Sequence, residues 1–230
     1  MLCAFGRWCV EQELFPINPY TTIKPLKCSR SVQNRQPFTR DEIERFLTTL
    51  KFDLHSRHYY DFCYVMLSLG LRPSEAIGLR WQHIDLDRKQ VTISETMARS
   101  EDGKTAGYAR QRKPTKTVNV RTLPLRDHLV TLFQGRRSPE SQPDDLVFTT
   151  ARGCVIDDHN FRERVWLKTC KQAGIKYRPP YTTRHTLLSH GIEYKGWSLP
   201  QAAQIAGHTS TRMVAETYGH MLDRPQFPEF

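Results

Sequence analysis

Arg72, Arg184, His208 and Tyr218 occur in that order along the chain, the histidine directly after a glycine and the tyrosine ten residues later. Those residue types suit one reaction. A phosphodiester in transfer builds negative charge on its non-bridging oxygens, and arginine clamps such oxygens with a planar, permanently charged fork. Arg72 follows Gly70 at the start of an expected helix, and Arg184 starts another after Pro179-Pro180. Helix starts favour phosphate. By analogy with a lost oxyanion donor, each arginine would contribute about 3 kcal/mol to a transition state. Tyr218 is the candidate nucleophile. Its hydroxyl, with a free pKa of about 10, attacks only from a positive or hydrogen-bonding environment. Taken singly, each arginine reads as a surface salt bridge and Tyr218 as a packing tyrosine. The ordered set carries the reading.

The elements that must position these residues alternate little. The pattern predicts a mainly α fold with a small antiparallel β-sheet (α+β). Thr39-Arg40-Asp41-Glu42 is a capping box ahead of Ile43, Phe46 and Leu47, so a helix begins there. His58 to Leu69 is a second helix that Gly70 ends, and Pro73 or Ser74 to Leu79 a third. Strands are expected at Val91–Ser94, Thr117–Leu125 and Leu146–Phe148, rich in β-branched residues. Helices follow over Asp127–Phe133, Asn160–Gln172, Thr182–Tyr194, Leu199–Ala206 and Thr211–Leu222. The first 36 residues read as a separate piece: a helix over Phe5–Leu14, a break at Pro16 to Pro19, then a basic linker. Residues 37–230 form the main domain.

The chain has 230 residues, a net charge of +10 and a pI near 9.5. A polyanion is the natural partner of such a balance. The excess is concentrated: Arg99 to Arg137 holds ten Lys/Arg against Glu101, Asp102 and Asp127. Within it, Lys104, Arg110, Arg112, Lys113 and Arg121 are the candidate DNA-binding residues, on a hairpin with a basic tip. The six cysteines form no C-x-x-C pair, and no H-E-x-x-H or similar cluster suggests a metal. No run reaches membrane-spanning length and the N-terminus lacks a signal-peptide pattern, so a cytoplasmic place is expected, with no membrane partner and no cofactor.

The segments Leu69-Gly-Leu-Arg72-Pro-Ser-Glu75 to Trp81, then Tyr181-Thr-Thr-Arg184-His, Gly207-His208 and Tyr218-Gly-His220, resemble the two boxes of the tyrosine recombinase (phage integrase) family, over about Phe38 to Leu222. The resemblance implies that family's catalytic-domain fold and site-specific DNA recombination through a 3′-phosphotyrosyl intermediate, for integration or excision of a mobile element. It makes Arg72 and Arg184 the phosphate clamp and Glu75 a support for Arg72. It makes Lys116 the general acid on the leaving 5′ oxygen, with Lys113 as alternative, and His208 a hydrogen-bond partner of the phosphate. Partners would be double-stranded DNA and three further copies in a tetramer on two sites, in a bacterial nucleoid or encoded by a phage. Residues 1–36 resemble the tail of the family's core-binding domain, most of which the chain then lacks. Two departures stand out. The family's usual histidine three residues before the second arginine is Tyr181 here, a poor general base near pH 7. His185 is not expected to replace it, because adjacent helix positions point apart. The His208–Tyr218 gap is also one residue longer than in several members. Two alternatives remain at this stage: a type IB topoisomerase-like enzyme, and a DNA-binding module with a decayed site.

Overall fold

The computed structural model describes residues 2–21, 36–99, 110–114, 120–208 and 210–219. The chain divides into two compact units, Met1–Asn34 and Arg35–Phe230. In the first, α1 (Leu2–Glu11) is followed by a turn held by Asn18. The Asn18 amide donates to the Cys3 carbonyl at 3.1 Å, and its oxygen accepts from the Tyr20 N–H at 2.9 Å. Gly6 is what lets Asn18 in, since a Cβ there would stand 2.1 Å from the Asn18 oxygen. Leu2, Phe5 and Trp8 of α1 stay exposed.

The second unit begins with α2 (Arg40–Phe52). Both halves of the expected capping box form: the Thr39 hydroxyl accepts from the Glu42 N–H and Glu42 accepts from the Thr39 N–H. α3 (Tyr60–Leu69) is buried along Phe62, Cys63, Val65, Met66 and Leu69, and packs on α2, α8 (Thr182–Lys195) and α4 (Pro73–Ile77). It stops at Gly70, whose φ of 60° is the left-handed conformation that glycine adopts without strain. Phe62 belongs to an aromatic core, with Phe148 and Phe161 ring centroids 5.5 and 5.1 Å away. Such edge-on contacts add to the burial of apolar area.

A three-stranded antiparallel sheet in the order β1-β2-β5 covers this core: Ile84–Asp85, Gln90–Ile93 and Arg121–Pro124. Along β5 burial alternates, so Arg121 and Leu123 face inward. β3 (Glu95–Arg99) and β4 (Arg110–Pro114) make a separate two-stranded hairpin. The expected strand at Leu146–Phe148 does not form. Its neighbour is the irregular segment at Leu79–Trp81, which offers one bridge, Arg80 to Leu146, and a bond from the Val147 N–H to Leu79. After α5 (Asp127–Arg136), the helix expected over Asn160–Gln172 is α6 (Asp158–Phe161), a widened π turn over Arg162–Trp166, then α7 (Leu167–Gln172). α8, α9 (Leu199–Ala206) and α10 (Arg212–Tyr218) then enclose a smaller core of Leu188, Ile192, Ala202, Ala203, Ala206, Val214 and Tyr218. The fold is mainly α with a small antiparallel sheet, as the pattern predicts.

Replacing Phe62 with alanine removes a ring of the aromatic core and is expected to cost about 3–5 kcal/mol. Urea denaturation of the two proteins checks it.

Candidate active site

Glu75 is the centre of the site. Pro73 holds Arg72 in extended conformation (φ −65°, ψ 147°) at the start of α4, one turn before Glu75. Glu75 accepts from the Arg72 backbone N–H at 2.9 Å and from its Nη1 at 2.6 Å. From β5, Arg121 closes a two-pronged pair on the same carboxylate, Nη1 to Oε1 at 3.2 Å and Nη2 to Oε2 at 2.7 Å. From the first turn of α8, Arg184 brings Nη1 to 3.8 Å of Oε2. Burial alone would raise the Glu75 carboxyl. The bonds and charge of Arg121, the charge of Arg184 and the Arg72 N–H outweigh it and bring the pKa down to about 2.

Three guanidiniums thus share one carboxylate, and the balance favours a further anion. Arg184 shows this most clearly. It is 1% exposed, and its Nη1 donates to the Gly70 carbonyl at 2.9 Å. Its Nε and Nη2 are buried and have no hydrogen-bond partner among the described residues. Burial, then the nearby Arg72 and Arg121 charges, push its pKa down against the pull of Glu75, to about 10, so it stays cationic at neutral pH.

His208 joins this group through Gly207. Gly207 has φ +58°, and a Cβ there would come within 2.8 Å of Arg121 Nη1. The glycine therefore supplies both the left-handed turn after α9 and the room for the arginine. Burial, then the charges of Arg184, Arg72 and Arg121, hold the His208 imidazole below its usual range, hence neutral at pH 7. Its Nδ1 is buried and has no hydrogen-bond partner among the described residues.

Tyr181 precedes α8 and lies beside the cluster. Burial lowers Arg72, but Glu75 and then the Tyr181 hydroxyl raise it further, for a net upward shift. The Tyr181 ring stands edge-on to His185, centroids 5.1 Å apart. Tyr218 ends α10, 5% exposed in the small core, and its hydroxyl is hydrogen-bonded to Nδ1 of His185. Adjacent helix positions do point apart, and His185 is the one of the pair Arg184–His185 that reaches the end of α10 and bonds Tyr218.

Two of the expected DNA-binding arginines have carboxylate partners. Arg121 is 7% exposed and paired with Glu75. The period-2 run Arg121, Leu123, Leu125 already placed it on the inward face. Arg112 on β4 is bonded to Glu95 at 2.6 Å and Asp144 at 3.0 Å, at the hairpin root. Arg110 and Lys113 lie on β4, with side chains outside those described, and Lys104 and Lys116 lie outside the described residues. Among the described residues no group of three or more His, Cys, Asp or Glu is placed to hold a metal, and no helix is long and apolar enough to cross a membrane.

The depressed Glu75 carboxyl sets a pH window. Its stabilisation is complete above its ordinary pKa of 4.5 and is lost as pH falls toward about 2. The shift corresponds to about 3 kcal/mol. Glu75→Gln leaves three guanidiniums without their counter-charge and is expected to cost about 3–5 kcal/mol at pH 7. Denaturant titrations across pH 2–7 should show the wild type converging on the variant at the acid end.

The chain matches the model of the "Phage integrase family" over residues 36–224. It is 23% identical over 245 residues to the tyrosine recombinase XerC-like protein of Caldanaerobacter subterraneus subsp. tengcongensis, covering 97% of this chain and 61% of that protein. It is 25% identical over 223 residues to tyrosine recombinase XerC of Yersinia pestis, covering 96% of this chain and 66% of that protein. It thus spans less than two thirds of the length of either relative. Its fold is similar to that of the Tn1549 transposon integrase in complex with a circular intermediate DNA, with a TM-score of 0.75, 18% identity, and coverage of 98% of this chain and 73% of that one. It is also similar to XerA recombinase, with a TM-score of 0.55, 20% identity, and coverage of 84% and 66%. With the arginine cluster, Gly207-His208 and Tyr218 in the family's order, the match places this chain in the phage integrase family, as a tyrosine recombinase catalytic domain.

Proposed function

We propose that the chain cleaves and rejoins double-stranded DNA at specific sites. The carrying observation is the excess of arginine charge around Glu75, with two buried donors of Arg184 that have no hydrogen-bond partner among the described residues. A phosphodiester matches that excess in charge and shape. The Tyr218 oxygen attacks the phosphorus, the bond to the 5′ oxygen breaks, and a 3′-phosphotyrosyl ester remains. Arg72 and Arg184 neutralise the non-bridging oxygens, and His208 adds a hydrogen bond. The leaving 5′ oxygen takes a proton from Lys116, or from Lys113 as alternative. One phosphoester replaces another, so the same site runs the step backwards when a 5′ hydroxyl attacks.

The relatives named as tyrosine recombinases support this activity, and the integrase bound to DNA supports the partner. Two DNA sites held by four copies, a bacterial or phage-encoded origin, and the use of the reaction to integrate or excise a mobile element belong to the same proposal. So does the division of the chain into the end of a core-binding domain (1–36) and the catalytic domain (37–230), with the exposed Leu2, Phe5 and Trp8 of α1 as support. The comparisons lend no support to a topoisomerase.

The test is covalent trapping. The protein is incubated, without divalent metal, with supercoiled plasmid and with a pool of nicked duplexes of randomised sequence, then quenched with SDS. An adduct mapped to Tyr218 and lost in Tyr218→Phe is expected. Arg184→Lys should form it about 10²–10³-fold more slowly. Sequence-indifferent relaxation of the plasmid would favour a topoisomerase. No adduct, even with an upstream core-binding domain restored, would overturn the proposal in favour of DNA binding alone.

A further inference from the structure

Attack by Tyr218 requires its proton to leave, and none of the groups assigned so far accepts it. Arg72 and Arg184 are cations with no acceptor. The Tyr181 hydroxyl lies by Arg72, and a neutral phenol is a poor base near pH 7. His208 is among the arginines, which oppose its gaining a positive charge. The side chain of His185 is bonded to the hydroxyl itself, through Nδ1.

We infer that His185 is a catalytic residue, the general base that takes the Tyr218 proton during cleavage and returns it during rejoining. The inference rests on the reading of Tyr218 as nucleophile and adds the missing proton acceptor. In cleavage the O–H bond of Tyr218 breaks, its proton binds His185 Nδ1, and its oxygen bonds phosphorus as the 5′ oxygen departs with the proton supplied by the lysine acid, Lys116 or Lys113. In rejoining the 5′ hydroxyl attacks and returns its proton to that lysine, the tyrosyl oxygen leaves, and the imidazolium hands its proton back to Tyr218.

Position and surroundings fit this task. His185 is 8% exposed and follows Arg184 in α8, so the base and the phosphate clamp ride on one helical turn. Tyr181 faces the imidazole edge-on from the turn before α8, Tyr218 faces it from α10, and Arg184 is next along the helix. Tyr181 thereby gains a job that needs no proton transfer: its ring fixes the plane of the imidazole. The ring nitrogen that points at a reacting oxygen is set by such neighbours.

His185→Asn separates proton transfer from positioning, because the amide oxygen takes the place of Nδ1 as acceptor but holds no proton. Adduct formation is measured against pH on nicked duplexes recovered from the trapping pool, carrying either the natural 5′ oxygen or a 5′-bridging sulfur. The sulfur leaves without an acid, so it restores a lost acid but not a lost base. The expected loss at pH 7 is about 10²–10⁴-fold on both substrates, shrinking about tenfold per pH unit as hydroxide takes over. A loss under threefold, or one equal at every pH, overturns the assignment, the latter leaving His185 a packing role. Nitrogen-15 spectra of the imidazole provide a readout that needs neither DNA nor turnover. Nδ1 should be the unprotonated, hydrogen-bonded nitrogen and should shift in Tyr218→Phe. A proton on Nδ1 overturns the assignment. If Tyr218→Phe still forms the adduct, the nucleophile itself is misread and the inference falls with it.

Discussion

One buried carboxylate organises this molecule. Glu75 lies beneath Arg72, Arg121 and Arg184, which arrive from a helix start, a strand and a second helix start. Three guanidiniums without it would repel one another in a low-dielectric interior, where such terms are strongest. With it, they converge and keep a surplus of positive charge. The same residue that makes the cluster foldable therefore leaves it incomplete electrostatically. A buried ion pair is weak evidence of stability by itself. Here its worth lies in direction, because it fixes where the arginine forks sit before any substrate arrives.

The helix α8 turns that fixed charge into a reaction geometry. Its first turn carries Arg184 toward Glu75 and Gly70, and the next residue, His185, toward α10. Farther along, Leu188 and Ile192 belong to the small core that also buries Tyr218. The tyrosine ring is thus anchored by apolar packing while its hydroxyl is held by an imidazole. Rigid support of this kind limits the entropy lost on reaching a reactive pose.

Much of this was legible in the residues. The capping box at Thr39, the stop at Gly70 and the span of α9 follow from local chemistry, which the folded chain preserves. What was missed depends on contacts far apart in sequence. Arg121 counts as one more basic residue until its alternation with Leu123 sends it inward to Glu75, 46 positions away. His185 and Tyr218 are unrelated while α8 is considered alone, and are bonded once the end of α10 reaches it. The Leu146–Phe148 run has strand composition, but a strand also needs an extended neighbour, and Leu79–Trp81 is irregular.

The left-handed turn at Gly70 carries a less obvious consequence. The last carbonyls of any helix lack partners within it, and the one at Gly70 is claimed by Arg184 from across the domain. α3 therefore acts as a gauge: the glycine that caps it must present that oxygen at one azimuth and one height. A single inserted residue would swing the oxygen by about 100° and lift it by about 1.5 Å. Side chains along α3 can vary in volume and be absorbed by neighbours. Its length cannot vary, because a register error there would be transmitted directly to Arg184.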